Sequence, residues 1–445
     1  MKVLIVGSGV SGRSACAYLE SQGIACEFAN EKDINFSGRF DRNYLDRLFD
    51  GLSFIVTSPG IDPKIPLLSQ ARARRIRVVG EFELGTSALL GDAIAITGTN
   101  GKTTTVSLIH FLLKNADTNV FLGGNIGVPV TSFAKNSSEG DISVLECSSY
   151  QLENIKHFKP HIAGILNISV DHLARHGTMQ KYIEAKTKIT KCQSEADFLL
   201  INADCEQLMK NLPKTRAKIY YFSTNRKVEG CYVKRGSIYF NDNLCEKKLV
   251  STRGIKLIGK HNLSNVLCAV LAVWLETKNL KLLENICNFV GVPHRTEFIK
   301  TIKGVEFFND SKATNIDSTL VALSSFKQGI HLILGGSDKG YEFDELFEKM
   351  PKNVKSIAVC GATRQKILQA SSRCGYKKIT SFDSLKYATY ACFKKAKKGE
   401  VVLLSPACAS FDCFKNYEER GTVFRKIVEE IFDNENALDK SEKET

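Results

Sequence analysis

The stretch Ile94-Ala-Ile-Thr-Gly98-Thr-Asn-Gly101-Lys102-Thr103-Thr104-Thr105 decides the fold of the middle of this chain. Its apolar, β-branched beginning predicts a buried strand, and residues 106–113 after it are compatible with a helix. Between the two, glycines allow backbone N–H groups to surround phosphate oxygens, and Lys102 adds a positive charge. The Thr103 hydroxyl is placed to touch a metal ion. The stretch therefore predicts chemistry at a nucleoside triphosphate.

This loop departs from the full G-x-x-x-x-G-K-[ST] pattern, because Ile96 stands where the first glycine belongs. The shorter form still supplies the backbone groups, the lysine and the hydroxyl. A glycine turn with a chance lysine is the alternative interpretation. The strand before the loop and the helix after it favour a phosphate loop.

The length of the chain, 445 residues, exceeds one ordinary core and predicts two or three domains. No apolar run is long enough to cross a bilayer, and no small-residue cleavage site follows residues 1–7. We therefore expect a cytoplasmic enzyme that does not bind membranes. The fourteen cysteines are scattered and form no C-x-x-C pair, so we expect reduced thiols rather than disulfides or zinc ligands.

The formal net charge of +13 is dispersed along the chain, apart from two short clusters. These are Arg72-Ala-Arg74-Arg75 and Lys394-Lys395-Ala-Lys397-Lys398. Neither cluster is interleaved with aromatic residues, as a groove for a nucleic-acid strand would be. We interpret both as solvated helix faces and expect no nucleic-acid partner. A positive field of this size would attract polyanionic small molecules.

The first segment, residues 1–89, alternates predicted strands (2–6, 25–29, 53–57 and 77–79) with helical stretches, which favours a parallel sheet. The first turn, Gly7-Ser-Gly9-Val-Ser-Gly12, lies between a strand and a helix and predicts a diphosphate at the helix N-terminus. A tight turn without a ligand is the alternative. NAD is not favoured, because Asn30 stands where a dinucleotide site needs an acid. A second turn, Ser58-Pro59-Gly60, closes the third strand.

Residues 90–292 contain further short apolar strands that end in polar residues, so the polar groups converge at one edge of a sheet. Residues 215–257 are predicted to form an antiparallel insertion, and a helix over 261–276 ends the segment. The third segment, 293–432, again alternates, with strands predicted at 305–309, 331–334, 357–360 and 401–404. The tail, 433–445, has almost nothing to bury and is predicted to be disordered.

Two of these strand ends carry groups suited to metal chemistry. Glu146 ends one strand, and His172 follows another. Alone, each is more often structural, but beside a triphosphate loop Thr103 and Glu146 could complete a magnesium shell with phosphate oxygens. His172 would fit a second ion or the substrate. Lys186 lies on an amphipathic helical stretch, where physical reasoning alone favours a solvated lysine.

Several motifs together resemble the Mur ligase superfamily. They are Thr-Gly98-Thr-Asn-Gly-Lys-Thr, Gly-Gly-Asn125-Ile-Gly, Leu-Glu146-Cys-Ser-Ser-Tyr-Gln-Leu-Glu153, the stretch from Asn167 to His172, and Gly259-Lys-His261-Asn262. Within it, Asn309-Asp310-Ser311-Lys312-Ala-Thr314-Asn and Ser405-Pro-Ala-Cys-Ala-Ser410-Phe-Asp resemble the D-glutamate-adding branch.

The resemblance implies an α/β fold with three domains: a Rossmann-like UDP-substrate domain (1–89), a central P-loop ATPase-type parallel-sheet domain (90–292) and a Rossmann-like amino-acid domain (293–432). It implies an ATP-dependent ligase that adds D-glutamate to UDP-N-acetylmuramoyl-L-alanine through an acyl phosphate, in peptidoglycan precursor synthesis. Two Mg²⁺ ions are implied as cofactors, and we expect a monomer.

The resemblance also implies roles for individual residues. For ATP these are Gly98, Thr99, Asn100, Gly101, Lys102, Thr103, Thr104, Asn125, Asn262, Arg295 and Asp310. For the UDP-linked substrate they are Val10, Ser11 and Gly60, whereas Asn30-Glu31-Lys32 replaces the basic residue that often aids uracil recognition. For D-glutamate they are Lys312, Thr314, Lys339, Ser410, Phe411 and Tyr417. The metal ligands would be Thr103, Glu146, His172 and Lys186. Lys102, Lys186 and His172 would serve catalysis, with Lys186 carbamylated.

The residues themselves leave other interpretations open. Residues 405–412 could form a plain strand–helix turn, Asp310 could cap a helix, and Lys312 and Lys339 could be surface lysines. A folylpolyglutamate-synthase-like ligase would share the phosphate loop but lack the first glycine-rich segment. A nucleotide-binding regulator would need no amino-acid pocket, and a dehydrogenase fits the triphosphate motif poorly.

Overall fold

The computed structural model describes residues 1–38 and 40–441, and the chain divides into two compact units. The first unit comprises Met1–Ile255 and Ser264–Phe289, and the second comprises Lys256–Leu263 and the chain from Val290 onward. The predicted boundary at 89/90 lies inside the first unit and stays a prediction. The α/β class with largely parallel sheets is confirmed.

The first sheet of the first unit has four parallel strands in the order β2-β1-β3-β4. They are β1 (Lys2–Val6), β2 (Ala25–Phe28), β3 (Leu52–Thr57) and β4 (Arg77–Gly80). The helices described beside them are α1 (Val10–Ser21), α2 (Glu31–Ile34), α3 (Arg42–Phe49), α4 (Pro66–Ala73) and α5 (Glu81–Thr86). The four strands predicted from the sequence are confirmed to within one residue at each end.

The second sheet has nine strands in the order β13-β12-β11-β10-β9-β8-β5-β7-β6. Its strands are β5 (Asp92–Thr97), β6 (Val120–Gly124), β7 (Ile142–Glu146), β8 (Ile162–Ile165), β9 (Phe198–Asn202), β10 (Lys218–Ser223), β11 (Gly230–Lys234), β12 (Ser237–Asn241) and β13 (Glu246–Ser251). The helices are α6 (Lys102–Leu113), α7 (Ser149–Glu153), α8 (Leu173–His176), α9 (Met179–Thr187), α10 (Glu206–Lys210), α11 (Lys260–Thr277) and α12 (Leu280–Glu284).

The phosphate-loop strand β5 lies between β7 and β8 and pairs with both in parallel. Nearly every side chain of these three strands is buried, which explains their continuous apolar sequences. Because parallel strands end at the same edge, the loops after β5, β7 and β8 are neighbours.

The insertion at 215–257 is antiparallel only in part, and that prediction needs correction. β10 pairs in parallel with β9, and β11 pairs in parallel with β10, whereas β12 and β13 are antiparallel additions. A short connection suffices between β10 and β11 because only three residue pairs overlap, Tyr221–Ser223 with Gly230–Tyr232. Turn residues in this segment therefore concealed a short extension of the parallel sheet.

The second unit contains a six-stranded sheet in the order β14-β15-β19-β16-β17-β18, parallel except for the β14–β15 hairpin. The strands are β14 (Glu297–Ile302), β15 (Val305–Asn309), β16 (Ile330–Leu334), β17 (Val354–Val359), β18 (Ile379–Ser381) and β19 (Val401–Leu404). The helices are α13 (Ile316–Ser324), α14 (Asp344–Glu348), α15 (Arg364–Arg373), α16 (Leu385–Lys395) and α17 (Tyr417–Ser441). The sequence missed β14 and β18, which lie at the two edges.

Helix α17 continues to Ser441, where we predicted disorder from 433 onward. The helix starts with an apolar stripe that is buried in the second unit and includes Phe424 and Val428. Once nucleated, a helix extends at little cost per residue. Lys303 also pairs with Glu435, which holds one further turn. Residues 442–445 of the predicted tail lie outside the described residues. Among the described helices, none combines the length and apolarity needed to cross a bilayer.

Candidate active site

The phosphate loop connects β5 to α6 and requires glycine at position 101. Gly101 precedes the helix with a φ of +86°, in the left-handed region that other residues rarely adopt. A Cβ atom at this position would lie 2.3 Å from Oδ1 of Asn265. The sequence had not singled out Asn265, because its closeness to the loop comes from the packing of α11.

Asn167, at the end of β8, fastens the backbone of the loop. Its carbonyl oxygen accepts from the Thr99 N–H at 3.0 Å, and its side-chain Oδ1 accepts from the Asn100 N–H at 2.9 Å. Its Nδ2 donates to the Asn100 carbonyl at 3.0 Å. The loop is thus held in one conformation from the neighbouring strand.

Thr103, Glu146 and Asn125 come together at the start of α6. The Thr103 hydroxyl donates to Oε2 of Glu146, and Nδ2 of Asn125 donates to Oε1, each over 2.8 Å. Glu146 is only 3% exposed. A buried carboxylate beside a hydroxyl offers the oxygen donors that Mg²⁺ prefers.

This donor set fits magnesium better than a transition metal. Within the described residues, no group of three or more His, Cys, Asp or Glu side chains converges as a metal cage would require. Mg²⁺ uses few protein ligands and completes its shell with water and phosphate oxygens. Thr103 and Glu146 could supply those few ligands.

Lys102 and Lys186 converge on a single backbone atom. Nζ of Lys102 donates to the carbonyl oxygens of Gly98 and Thr99, both at 2.8 Å, and Nζ of Lys186 donates to Gly98 O, also at 2.8 Å. Lys186 is 2% exposed, so its interpretation as a solvated lysine is wrong. Burial, and secondarily the charge of Lys102, hold the pKa of Lys186 well below its usual value. Its amine also lies 4.6 Å from the centre of the Tyr182 ring.

His172 lies on the same edge of the sheet, in a left-handed backbone conformation with a φ of +53°. Its Nδ1 lies 3.0 Å from the Tyr150 hydroxyl, and its Nε2 lies 3.4 Å from Asp171. The imidazole also contacts the Tyr182 ring, whose hydroxyl is 3.1 Å from Thr99 Oγ1. His172 is therefore linked to the phosphate loop through Tyr182.

A second histidine, His176, escaped the sequence analysis. It is buried one turn after His172, with Nε2 3.0 Å from Ser149 Oγ and Nδ1 3.2 Å from Glu153. Burial lowers its pKa. Both histidines lie near Tyr150, because they are four residues apart. No local sequence motif distinguished His176.

The glycine turn of the first sheet is closely packed against the loop after β3. A Cβ on Gly12 would lie 1.8 Å from the Gly7 carbonyl oxygen, and the Ser58 hydroxyl donates to that same oxygen at 3.2 Å. Val10 is 67% exposed at the start of α1, and the space around Gly60 is open. Ser11 is half-buried beside Val10. The predicted UDP-substrate residues thus border an accessible edge.

Asn30 has a local structural function. Its side chain caps α2 by accepting a hydrogen bond from the Lys32 N–H at 2.9 Å. The cap explains why an amide stands at this position.

Arg175 joins the two sheets of the first unit and was not identified from the sequence. Its guanidinium donates to the carbonyl oxygen of Ile61, one residue after the Ser58-Pro59-Gly60 turn, at 3.0 Å. It also pairs with Glu153 at 3.0 Å and lies over the Tyr150 ring. The turn after β3 is thereby tied to the elements around His172.

In the second unit, Asp310 follows β15 and is buried. Ser405 Oγ donates to its Oδ2 at 2.8 Å, and the Thr296 N–H donates to its Oδ1 at 3.0 Å. Burial raises the pKa of Asp310 to about 6. Asp310 does not cap a helix, because α13 begins at Ile316 and Asn315 caps it.

Two further predicted nucleotide residues lie in this unit. Asn262 is buried, and its Nδ2 donates to the Ile258 carbonyl oxygen at 2.7 Å. Arg295 stands between His294 and Thr296, which both have positive φ angles. Its positive charge partly offsets the effect of burial on the pKa of Asp310.

Four of the six predicted D-glutamate residues form two pairs, and the other two, Ser410 and Phe411, belong to neither pair. Nζ of Lys339 donates to Thr314 Oγ1 at 3.3 Å, and Nζ of Lys312 lies 4.9 Å from the centre of the Tyr417 ring. Ser410 is buried, whereas the Phe411 ring is 74% exposed. Tyr341, missed by the sequence analysis, donates to the Thr314 carbonyl at 3.1 Å and to that of Ala407.

Arg420 is buried among these loops and was also missed. Its guanidinium donates to the Ser311 hydroxyl at 2.9 Å and to the Ser311 carbonyl at 2.7 Å. It also donates to the carbonyls of Cys408 and Ala409, both at 3.0 Å. Burial lowers its pKa to about 10. Arg420 thus fastens the loop after β15 to the loop after β19.

Two protein-family models match this chain. The Mur ligase middle domain model matches residues 96–273, and the Mur ligase glutamate ligase domain model matches residues 294–408. The chain belongs to the Mur ligase family. The two models together cover most of the chain, including the phosphate loop and the loops around Asp310.

Curated relatives extend the similarity over nearly the whole length. The UDP-N-acetylmuramoylalanine--D-glutamate ligase of Koribacter versatilis (strain Ellin345) is 39% identical, over 98% of each chain. The enzyme of the same name from Thermoanaerobacter pseudethanolicus (strain ATCC 33223 / 39E) is 38% identical, over 97% of this chain and 98% of its own.

A solved structure shares the fold of this chain at lower identity. The pseudomurein peptide ligase type C of Methanothermus fervidus has a TM-score of 0.61 and 17% identity, covering 97% of this chain and 99% of its own. At that identity the likeness concerns the fold alone.

Proposed function

We propose that this protein is an ATP-dependent ligase that joins D-glutamate to UDP-N-acetylmuramoyl-L-alanine during peptidoglycan precursor synthesis. The observation that carries the proposal is near full-length similarity, at 38–39% identity, to enzymes with that name. The phosphate loop with its buried Thr103–Glu146 pair supports the ATP-dependent part.

The reaction requires activation, because a carboxylate is a poor electrophile. The γ-phosphoryl group of ATP passes to the L-alanyl carboxylate and leaves ADP and an acyl phosphate. The amine of D-glutamate attacks the acyl carbon, and phosphate leaves from the tetrahedral intermediate as the amide forms. The contribution of the protein is positioning and charge stabilisation, and no side chain acts as a covalent nucleophile.

Residues of the phosphate loop and the loops after β6 and β7 serve ATP in this proposal. Lys102 leaves its contacts with Gly98 and Thr99 to neutralise the β- and γ-phosphates, while the loop N–H groups hold phosphate oxygens. Thr103 and Glu146 hold Mg²⁺, with Asn125 orienting the carboxylate. Bound magnesium would neutralise the charge that develops on the transferring phosphoryl group. Asn262, Arg295 and Asp310 are proposed to contact the nucleotide as well.

Lys186 is proposed to be carbamylated and to hold a second Mg²⁺ together with His172. Burial lowers the pKa of Lys186 and so favours the neutral amine, which is the form that adds CO₂. Addition of CO₂ releases one proton and converts the amine into a carbamate anion. That change would place a metal-binding anion beside Lys102.

The remaining predicted residues are assigned to the two other substrates. Val10, Ser11 and Gly60 at the open edge of the first sheet are proposed to hold the UDP-linked substrate. The D-glutamate carboxylates would pair with Lys312 and Lys339, aided by Thr314, Ser410, Phe411 and Tyr417. The same proposal includes a cytoplasmic monomer and the domain boundaries at 89/90 and 292/293.

A coupled assay of ADP release across candidate amino acids tests the proposed function. Turnover should require both UDP-N-acetylmuramoyl-L-alanine and D-glutamate. Equal turnover with L-glutamate or diaminopimelate would contradict the assignment. Nucleotide turnover that depends on neither substrate and survives the change Lys339→Ala would instead favour a nucleotide-binding regulator.

A further inference from the structure

A groove of about 550 Å³ on the first unit is lined by six basic side chains, and none of its lining residues is assigned to a substrate. We call it the basic groove. Its cations come from the end of α4 and the turn after it, from β4, from the loop after α7 and from the segment after α9. They are Arg72, Arg75, Arg77, Lys156, Lys188 and Lys191.

The charge of the basic groove is poorly compensated within the protein. Glu153 is the one carboxylate among its lining residues. That carboxylate is engaged by Arg175 at 3.0 Å and by His176 at 3.2 Å. Among the described residues, no Asp or Glu lies within ion-pair distance of the six cations. Within the sequence cluster Arg72-Ala-Arg74-Arg75, Arg74 pairs with Asp46, whereas Arg72 and Arg75 line the groove.

Apolar side chains also line the basic groove. Ile76, Val78 and Ile155 line it, and Ile155 is buried. Apolar side chains beside the cations lower the local dielectric and strengthen the attraction between the cations and an anion. Nζ of Lys188 donates to the Glu153 carbonyl oxygen at 2.9 Å, which fixes that ammonium group on the wall.

We propose that the basic groove binds a small polyanion carrying at least two phosphate or carboxylate groups. Its volume suits a molecule of nucleotide size. The positive side chains of the groove come from two segments that are about eighty or more residues apart in the sequence. The fold, and not a local run of basic residues, therefore concentrates the charge. The strand β4 and the helix α4 are part of the first sheet and its helices, whereas α7 and α9 accompany the second sheet. The bound anion would therefore contact elements of both sheets.

The test uses inorganic tripolyphosphate as the probe and the full-length chain. The phosphate loop is a competing site, so titration calorimetry is performed in a Lys102→Ala background. The groove variant adds Arg77→Gln, Lys156→Gln and Lys191→Gln. The control variant adds Lys394→Gln, Lys395→Gln and Lys397→Gln, which remove the same charge from an exposed region.

We expect the Lys102→Ala protein and the control variant to bind tripolyphosphate with equal affinity, and the groove variant to bind at least tenfold more weakly. The affinity of the first two should fall steeply with added salt. Citrate as a second probe distinguishes carboxylate from phosphate ligands. In the otherwise wild-type chain, the three groove substitutions should leave the far-UV circular dichroism spectrum unchanged, which shows that the variant folds.

Equal affinity of the groove and control variants would overturn the proposal, as would binding of a short DNA duplex at the groove without binding of tripolyphosphate or citrate. Loss of affinity in both variants would indicate only a diffuse field of positive charge and would also contradict it. None of these outcomes depends on the proposed ligase function, which the amino-acid assay tests separately.

Discussion

Lys102 and Lys186 donate hydrogen bonds to the same acceptor, the carbonyl oxygen of Gly98, and each nitrogen lies 2.8 Å from it. Two ammonium groups this close repel each other in a buried setting, which lowers the pKa of Lys186 beyond the effect of burial. The arrangement shifts Lys186 toward its neutral form. It is the physical basis for assigning the two lysines different functions.

Replacing Lys186 with alanine should nearly abolish ligation, by about 10²- to 10³-fold in kcat, because a charged group at the reacting phosphate is lost. Short carboxylic acids should restore part of the activity by occupying the place of the carbamate. The measurement is kcat with and without added acetate. Lys181→Ala, on the exposed face of the same helix, is the matched control and should retain normal rates. Undiminished turnover in Lys186→Ala would exclude the carbamate.

Replacing Glu146 with glutamine should raise the Mg²⁺ concentration needed for half-maximal activity at least tenfold. Glutamine keeps the size of the side chain and can still accept from Thr103, but it lacks the negative charge that a divalent cation requires. Titration of activity against Mg²⁺ at fixed ATP measures the shift. The exposed Glu139→Gln change serves as the control, and an unchanged Mg²⁺ requirement in Glu146→Gln would contradict the assigned ligand.

Much of the fold could be predicted from the sequence because buried parallel strands have continuous apolar runs. β1, β15 and β19 were predicted with their observed bounds. β14 was missed because its residues are only partly buried, and the parallel pairing of β11 was missed because turn residues dominate that segment. Helix α17 extends past its apolar part, which composition alone does not reveal.

The geometry of the candidate site was predictable where it depends on a local motif and unpredictable where it depends on packing. Thr103 and Glu146 were paired from strand ends alone, and the structure brings them within 2.8 Å. The burial of Lys186 was not predictable, because its helix is amphipathic and the Gly98 carbonyl is 88 residues away in the sequence. Arg175 and Arg420 act through backbone carbonyls of distant loops, and such contacts leave no local pattern.

The stability of the second unit should depend on pH through Asp310, whose pKa burial raises to about 6 from the usual 3.8. The folded state then holds a proton more tightly than the unfolded chain. The stabilisation from the protonated carboxyl is complete below about pH 4 and is lost as the pH rises to about 6. The free energy of unfolding of the wild type, relative to Asp310→Asn, should therefore fall by up to about 3 kcal/mol between pH 4 and 7.

Urea unfolding at each pH, followed by pulsed hydrogen exchange of the β15 and β19 peptides, measures this unit alone. Asp383→Asn is the control, since that side chain is exposed, and its pH dependence should match that of the wild type. A wild type and an Asp310→Asn variant with parallel pH profiles would show that the carboxyl titrates normally.

Replacing Arg420 with lysine should raise the KM for D-glutamate about tenfold while changing kcat by less than about threefold. A single ammonium group cannot reach the Ser311 hydroxyl and the carbonyls of Ser311, Cys408 and Ala409 at once, so the loops after β15 and β19 lose their common anchor. Unsatisfied buried carbonyls should also lower the free energy of unfolding by about 2–4 kcal/mol. Steady-state kinetics with D-glutamate varied separates binding from chemistry. Arg373→Lys, on an exposed face of α15, is the control. A loss confined to kcat, with an unchanged KM, would mean that Arg420 serves the reaction step rather than the shape of the amino-acid pocket.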